Sequence, residues 1–370
     1  MSSRPEPLHT LVEYSPVVAP QTERPGAGAE AAKLSAARAG DHDAFRVLTD
    51  QYTRELHVHC YRLLGSFHDA EDAVQEMLLR AWRHLASFEG RSSFRAWLYR
   101  IATNVSLSQR HRARLELPSV PQAIVEALAG GTEPAINLTP YPGILLDELA
   151  ARSGDPAAEA ELRESVQLAF LAAVQLLPPR QRAVLILRDV VGFPTEAVAQ
   201  MLDSTAASVN SALNRARSTL EHQRLAGRLH TDRITPSDEV AQTLVRRYGE
   251  AWQTMDIGKL VELFKQDVVL TMPPLPLRVT GRADAINFLR TLPLARSDRV
   301  RLILTRANRQ PALAVYLRDK DGHMYHAWGI WVLTVDGDAI AEVTAFVDPA
   351  LVPKFGLPTE LDGDWGAPGA

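Results

Sequence analysis

The chain has 370 residues, 46% of them hydrophobic and 23% charged, with 40 lysines and arginines against 44 aspartates and glutamates, a net charge of −4. That length exceeds what one hydrophobic core usually serves, so several domains are predicted, and the ordinary composition excludes a wholly disordered or collagen-like chain. No run approaches the ~18 apolar residues of a membrane span, the N-terminal segment lacks a basic end followed by an apolar stretch, and a single cysteine, Cys60, excludes a disulfide framework or a cysteine-rich zinc site. A cytoplasmic protein with no membrane partner is expected, with Cys60 as a small buried hydrophobe.

Residues 1–30 carry Pro5, Pro7, Pro16, Pro20 and Pro25 with Gly26 and Gly28, and predict a disordered tail. Residues 31–114 keep a helical apolar spacing broken only near Gly40, Gly65 and Gly90, an all-α unit. Prolines return over 115–158 (Pro118, Pro121, Pro134, Pro140, Pro142, Pro156) and Gly130-Gly131 interrupts any helix, which predicts a linker. A second all-α unit spans 159–228, broken at 177–179, 192–194 and Asp203-Ser204. Residues 237–356 read as helices (239–254, 257–264, 283–292) followed by strands (300–305, 312–318, 325–335, 339–346), with Asp336-Gly337 as a hairpin turn, hence an α+β domain; 357–370 reads as a tail. No internal repeat is present.

Within the first unit, Ala70, Val74, Met77, Leu78, Ala81 and Leu85 fall on one stripe of a helix beginning near Asp69. The opposite face runs from acidic (Asp69, Asp72, Glu76) to basic (Arg80, Arg83), the order that the helix dipole favours. Leu79 sits among those charges, which suits a docking surface for a protein partner. From Arg80 to Arg114 eight arginines face one acid, Glu89. The same stretch interleaves Trp82, Phe88, Phe94, Trp97 and Tyr99, and arginine with aromatic rings suits single-stranded DNA, although Trp97 repeats with Ile101 and Val105 as a core residue would.

In the second unit two short amphipathic helices flank Asp203-Ser204. Val209, Leu213, Ala216 and Leu220 form the buried stripe of the second, leaving Ala207, Ser211, Asn214 and Ser218 outward beside Ser208, Asn210, Arg215 and Arg217, and no acid occurs from Ser204 to Thr219. A small polar face with flanking arginines is what a helix-turn-helix needs to enter the major groove.

The segments Asp69-Ala-Glu-Asp-Ala-Val-Gln-Glu76, Phe94-Arg-Ala-Trp-Leu-Tyr-Arg-Ile-Ala-Thr-Asn104, Leu177-Pro-Pro-Arg-Gln-Arg182 and Val209-Asn-Ser-Ala-Leu-Asn-Arg-Ala-Arg217 resemble, in order, bacterial RNA polymerase sigma factors of the extracytoplasmic-function (ECF) group. The resemblance implies sigma region 2 over 31–114 and region 4 over 159–228, core RNA polymerase (the clamp helices of its largest subunit and its flap) and promoter DNA as partners, and transcription initiation as the function. It implies that Asp69, Asp72, Gln75, Glu76 and Leu79 bind core polymerase, and that Arg95, Trp97, Arg100, Asn104, Arg110 and Arg112 contact the −10 element. It also implies that Ala207, Ser208, Asn210, Ser211, Asn214, Arg215 and Arg217 contact the −35 element. Asn210 and Ala212 depart from the basic residues common in the group, which predicts an unusual −35 preference. The last third resembles the SnoaL-like branch of the nuclear transport factor 2-like cone fold, which a subgroup of these factors carries with a linker like Tyr141-Pro-Gly-Ile-Leu-Leu-Asp-Glu-Leu149; it implies a domain that modulates activity.

Trp252, Phe264, Met272, Phe288, Tyr316, His326, Trp328 and Trp331 are candidates to line a cone pocket for a small-molecule or regulatory partner. Two other functions compete. An isomerase or cyclase would use Asp267, Asp284 or His326 as acid or base, and their spacing does not compel it. A repressor would use the helix-turn-helix alone and leaves residues 69–114 unexplained. The expectation is a non-enzyme with no catalytic residue, metal or cofactor.

Overall fold

The computed structural model describes residues 27–109, 138–153, 156–225, 238–291, 300–318 and 323–362. Residues 1–26 of the tail expected over 1–30, and Arg110 and Arg112, lie outside them. The chain forms two compact units, one of residues 1–112 and 169–231, the other of 113–168 and 232–370.

The first unit opens with α1 (Ala27–Arg38), α2 (His42–Leu64), α3 (Phe67–His84) and α4 (Phe94–Ser108). Helix α1 starts inside the stretch that its prolines and glycines mark as a tail. The helix ends are set by their caps: Asp41, Ser66 and Ser93 each accept a hydrogen bond from a first-turn amide, and Gly65 ends α2 at φ 76°, where a Cβ would be strained. Leu48, Leu56, Met77 and Leu98 are fully buried in this bundle. The remainder of the unit is α7 (Leu168–Gln175), α8 (Pro179–Leu185, continued by one π turn), α9 (Thr195–Met201) and α10 (Ala206–Leu225).

His59 is wholly buried on α2, with Nε2 2.8 Å from the Thr103 hydroxyl of α4. Burial, then the positive charges of Arg62 and Arg95, push its pKa down to about 3 from 6.5. A folded pKa below the unfolded one adds stability that is complete above pH 6.5 and lost as pH falls from 6.5 toward 3. At about 1.4 kcal/mol per pH unit, moving from near-neutral pH to about pH 5 should cost about 2 kcal/mol through this one imidazole. His59→Gln should flatten the pH dependence of the urea midpoint in that window; an unchanged slope would rule His59 out as its source.

The second unit begins with α5 (Gly143–Ser153) and α6 (Pro156–Val166). Helix α5 lies inside the segment 115–158 expected to be a linker, and Pro142 and Pro156 stand just before α5 and at the start of α6, where a missing amide costs nothing. Helix α6 also belongs with the C-terminal unit rather than with residues 159–228. Next come α11 (Asp238–Gln253), α12 (Ile257–Leu263), β1 (Phe264–Met272), β2 (Leu275–Thr280), α13 (Arg282–Thr291), β3 (Val300–Ala307), β4 (Gln310–Arg318), β5 (Tyr325–Asp336), β6 (Ala339–Phe346), a 3₁₀ turn (Pro349–Phe355) and β7 (Glu360–Leu361). The sheet order is β2-β1-β6-β5-β4-β3, with β7 added to β5 inside the segment expected to be a tail. All described pairs are antiparallel except β1 with β6.

Helix α11 lies on β3 and β4, and α13 on β1 and β2, so one sheet face and these helices enclose the core around Tyr248, Trp252, Phe264 and Trp331. The β3–β4 hairpin turns through two residues, Asn308 (φ 54°) and Arg309 (φ 59°). Two positive φ values in a two-residue loop match the right-handed twist of the strands, and asparagine tolerates that conformation far better than arginine does.

Candidate polymerase and nucleic-acid interface

Helix α3 brings Asp69, Asp72, Gln75, Glu76 and Leu79 onto one face. Asp72, Gln75 and Leu79 are exposed, Leu79 by 53%, while Asp69 and Glu76 are half-buried. Glu76 accepts a hydrogen bond from Arg80 Nε at 2.6 Å. An exposed leucine inside an acidic stripe has no role in the bundle core, which the other side of α3 supplies through Ala70, Val74, Met77 and Ala81.

Helix α4 treats its arginines and rings unequally. Arg95 is held by Glu55 on α2 through Nε at 3.0 and 3.2 Å and a terminal nitrogen at 3.0 Å, and lies over the Tyr99 ring at 4.7 Å. A guanidinium so committed fastens α4 to α2, a structural task that sequence reading missed because Glu55 is forty positions away. Phe88, Phe94 and Tyr99 are buried, which corrects the reading of these rings as platforms for bases: Phe88 and Phe94 pack edge-on at 5.6 Å. Trp97 is half-exposed and tilts on Phe88 and Phe94 at 5.2 and 5.5 Å; Trp82 stacks on His42 at 4.2 Å. Arg100 is exposed and Asn104 half-buried, both on the side of α4 that meets the helix-turn-helix.

In that motif Thr205 caps α10 by accepting from the Ser208 amide at 3.2 Å. The caps and the buried stripe Val209, Leu213, Ala216 and Leu220 turn Ala207, Ser208, Asn210, Ser211, Asn214 and Arg215 outward. Arg215 donates to the Ser211 hydroxyl at 2.6 Å and remains exposed, whereas Arg217 makes a two-point ion pair with Asp189 at 2.9 and 2.8 Å. Arg182, from the Leu177-Pro-Pro-Arg-Gln-Arg segment, is buried and donates to the backbone oxygens of Leu63, Gln175 and Leu177 at 2.5, 2.8 and 3.1 Å. Burial lowers its pKa to about 10, which leaves it charged at neutral pH.

In the C-terminal unit, a small cavity of about 30 Å³ is lined by Tyr248, Trp252, Met272, Phe288, Trp328, Trp331 and aliphatic neighbours. Phe264, Tyr316 and His326 are not among its walls, contrary to expectation. Burial keeps the Tyr248 hydroxyl neutral by raising its pKa. Asp267 and Asp284 are exposed, and His326 Nδ1 lies 3.4 Å from Glu360.

The β3–β4 turn holds the connector between the two helical units. Asn308 Oδ1 accepts from the Tyr141 amide at 2.8 Å, its own amide donates to the Tyr141 oxygen at 2.9 Å, and its side-chain nitrogen donates to the Val166 oxygen at 2.6 Å. Arg309, whose side chain is 5% exposed, pairs with Asp147 of α5 and Glu159 of α6. A Cβ on Gly143 would come within 2.7 Å of the Arg306 side chain, so the connector sits against the hairpin as closely as glycine permits.

The comparisons agree with this layout. Residues 48–116 match the family model for sigma-70 region 2, 167–220 that for sigma-70 region 4, and 245–343 that for the SnoaL-like domain. The chain is 41% identical over 330 residues to the ECF RNA polymerase sigma factor SigG of Mycobacterium tuberculosis (strain ATCC 25618 / H37Rv), covering 88% of this chain and 86% of that protein. The chain belongs to the ECF RNA polymerase sigma factors. It is also 30% identical over 191 residues to the ECF RNA polymerase sigma factor SigW of Bacillus subtilis (strain 168), a match that covers 52% of this chain and 94% of SigW. Among solved structures, the ECF sigma factor SigJ of Mycobacterium tuberculosis shares the fold at a TM-score of 0.53 and 21% identity, over 84% of this chain and 99% of that one. This sigma factor therefore binds core RNA polymerase and promoter DNA to initiate transcription; the region 2 match covers most of α2 with α3 and α4, and the region 4 match covers most of α7–α10. Among the described residues no helix is long and apolar enough to cross a membrane.

Proposed function

We propose that this sigma factor docks the Asp72–Leu79 face of α3 on the clamp helices of the polymerase largest subunit, and region 4 on its flap. In that complex Trp97, Arg100 and Asn104, together with Arg110 and Arg112, hold the opened −10 element. The outward face of α10, from Ala207 to Arg215, enters the −35 major groove. The exposed Leu79 among acidic side chains carries this reading: it lies on the face of α3 away from the core stripe and suits an apolar anchor with a charged rim. Arg95 and Arg217, being ion-paired to Glu55 and Asp189, position α4 and α10 rather than touch DNA first.

The C-terminal domain acts without catalysis. Its cavity is lined by aromatic and aliphatic side chains with the Met272 thioether, Tyr248 and the Thr271 hydroxyl, which supply no group able to exchange a proton near neutral pH. It modulates activity instead through the Asn308–Arg309 clasp, which ties down the connector that links region 2 to region 4.

The test is run-off transcription. Profiling after induced expression names candidate promoters, and the purified chain with core polymerase should then yield promoter-specific transcripts that fall steeply with added salt, as arginine–phosphate contacts require. Binding to duplex without any transcript would favour the repressor alternative. Removing residues 236–370 should change the transcript yield; equal yields would make the C-terminal domain a passenger.

A further inference from the structure

We infer that Asp203, in the turn of the helix-turn-helix, stands in for a DNA phosphate on Arg100 and so closes region 4 over the −10 contact face of region 2 until DNA displaces it. The inference rests on the reading of Arg100 and Asn104 as −10 residues.

Three turns of α4 meet region 4. Arg100 donates to Asp203 Oδ1 at 2.9 Å, the Asn104 amide reaches the Met201 oxygen at 3.5 Å, and the Phe193 ring lies 5.2 Å from that of Tyr99 and 5.5 Å from the Arg95 guanidinium. Two of the side chains assigned to the −10 strand, Arg100 and Asn104, thus lie against the end of α9 and the turn that follows it. A guanidinium receives a carboxylate and a phosphate by the same charged N–H···O geometry, so one can replace the other.

The turn itself has no use for this carboxylate. Leu202 and Ser204 donate their amides to Val198 and Ala199, and Arg180 donates to the Leu202 oxygen at 2.7 Å. Asp203 occupies the left-handed region at φ 45°, a place that glycine or asparagine fills at less cost, and its ion pair is with Arg100, 103 positions earlier. Both partners remain substantially exposed, 47% for Arg100 and 75% for Asp203, so water screens the pair and a backbone phosphate can exchange for it. The outward face of α10 stays open meanwhile. The −35 duplex can be read first and the −10 face released second.

The experiment measures anisotropy of a short fluorescein-labelled single-stranded DNA of mixed sequence with the purified full chain at low salt. Asp203→Asn keeps both shape and tolerance of the left-handed turn, and it should tighten binding about threefold, the size expected of an exposed ion pair. Arg100→Ala should weaken binding, and in that background Asp203→Asn should give no gain. Asp50→Asn, which removes an exposed charge from α2, should change nothing. If Arg100→Ala weakens binding while Asp203→Asn matches the parent, or still tightens binding without Arg100, the phosphate mimic is refuted and the −10 reading survives. If Arg100→Ala has no effect, the −10 reading of Arg100 falls, and the inference with it.

Discussion

Core polymerase should no longer be captured when Asp72 and Glu76 are both replaced by arginine. Both lie on the solvent side of α3, opposite the stripe formed by Ala70, Val74, Met77 and Ala81, so the substitutions leave the bundle core untouched. Reversing two charges at a docking face replaces attraction by like-charge juxtaposition, which costs several kcal/mol and therefore about a hundredfold or more in affinity. Glu76→Arg also sets two arginines, at 76 and 80, one helical turn apart where an ion pair stood. Circular dichroism should be unchanged, and co-purification of core polymerase with tagged chain should be lost. Parental affinity in the double variant would refute the docking face, and Leu79→Ala, with an intermediate loss, separates the apolar anchor from its charged rim.

The second large effect is expected at Asn308. Its side chain is wholly buried and joins Tyr141 to Val166, the two flanks of α5 and α6. Asn308→Ala leaves the Tyr141 amide without its acceptor and the Val166 oxygen without this donor. Each buried polar group so abandoned costs about 1–3 kcal/mol. Alanine at φ 54° adds about 1 kcal/mol of backbone strain, whereas glycine adds none. Asn308→Ala should therefore destabilise the connector by about 3–7 kcal/mol and Asn308→Gly by about 1 kcal/mol less. Amide exchange across residues 138–166 should speed up in both variants, while exchange in α2 and α3 stays at the parent rate. Unaltered exchange at Tyr141 would remove the clasp from the account of the C-terminal domain.

The helices of regions 2 and 4 were legible because each has a single apolar stripe: α3 through Ala70, Val74, Met77 and Ala81, and α10 through Val209, Leu213, Ala216 and Leu220. Strands β4 to β6 were legible from short apolar runs bounded by turn residues. Strands β1 and β2 were not. β1 follows α12 at Phe264 with no glycine or proline to mark the change, and its neighbour β6 lies about seventy residues away in a parallel pairing. The connector helices were hidden by their prolines, which break a helix inside but open one at its first turn.

What the sequence alone determined was the order of the parts, the acidic and apolar stripe on α3, and the polar outward face of α10, since each is a matter of residues three or four apart on one helix. What the tertiary structure decided was which charges are committed. Arg95 and Glu55, Arg217 and Asp189, Arg100 and Asp203, and Arg309 with Asp147 and Glu159 are pairs separated by 28 to 162 positions. A charge advertises itself in sequence, but its partner is fixed only when packing brings distant segments within hydrogen-bond reach, because an ion pair depends on separation in space and not along the chain.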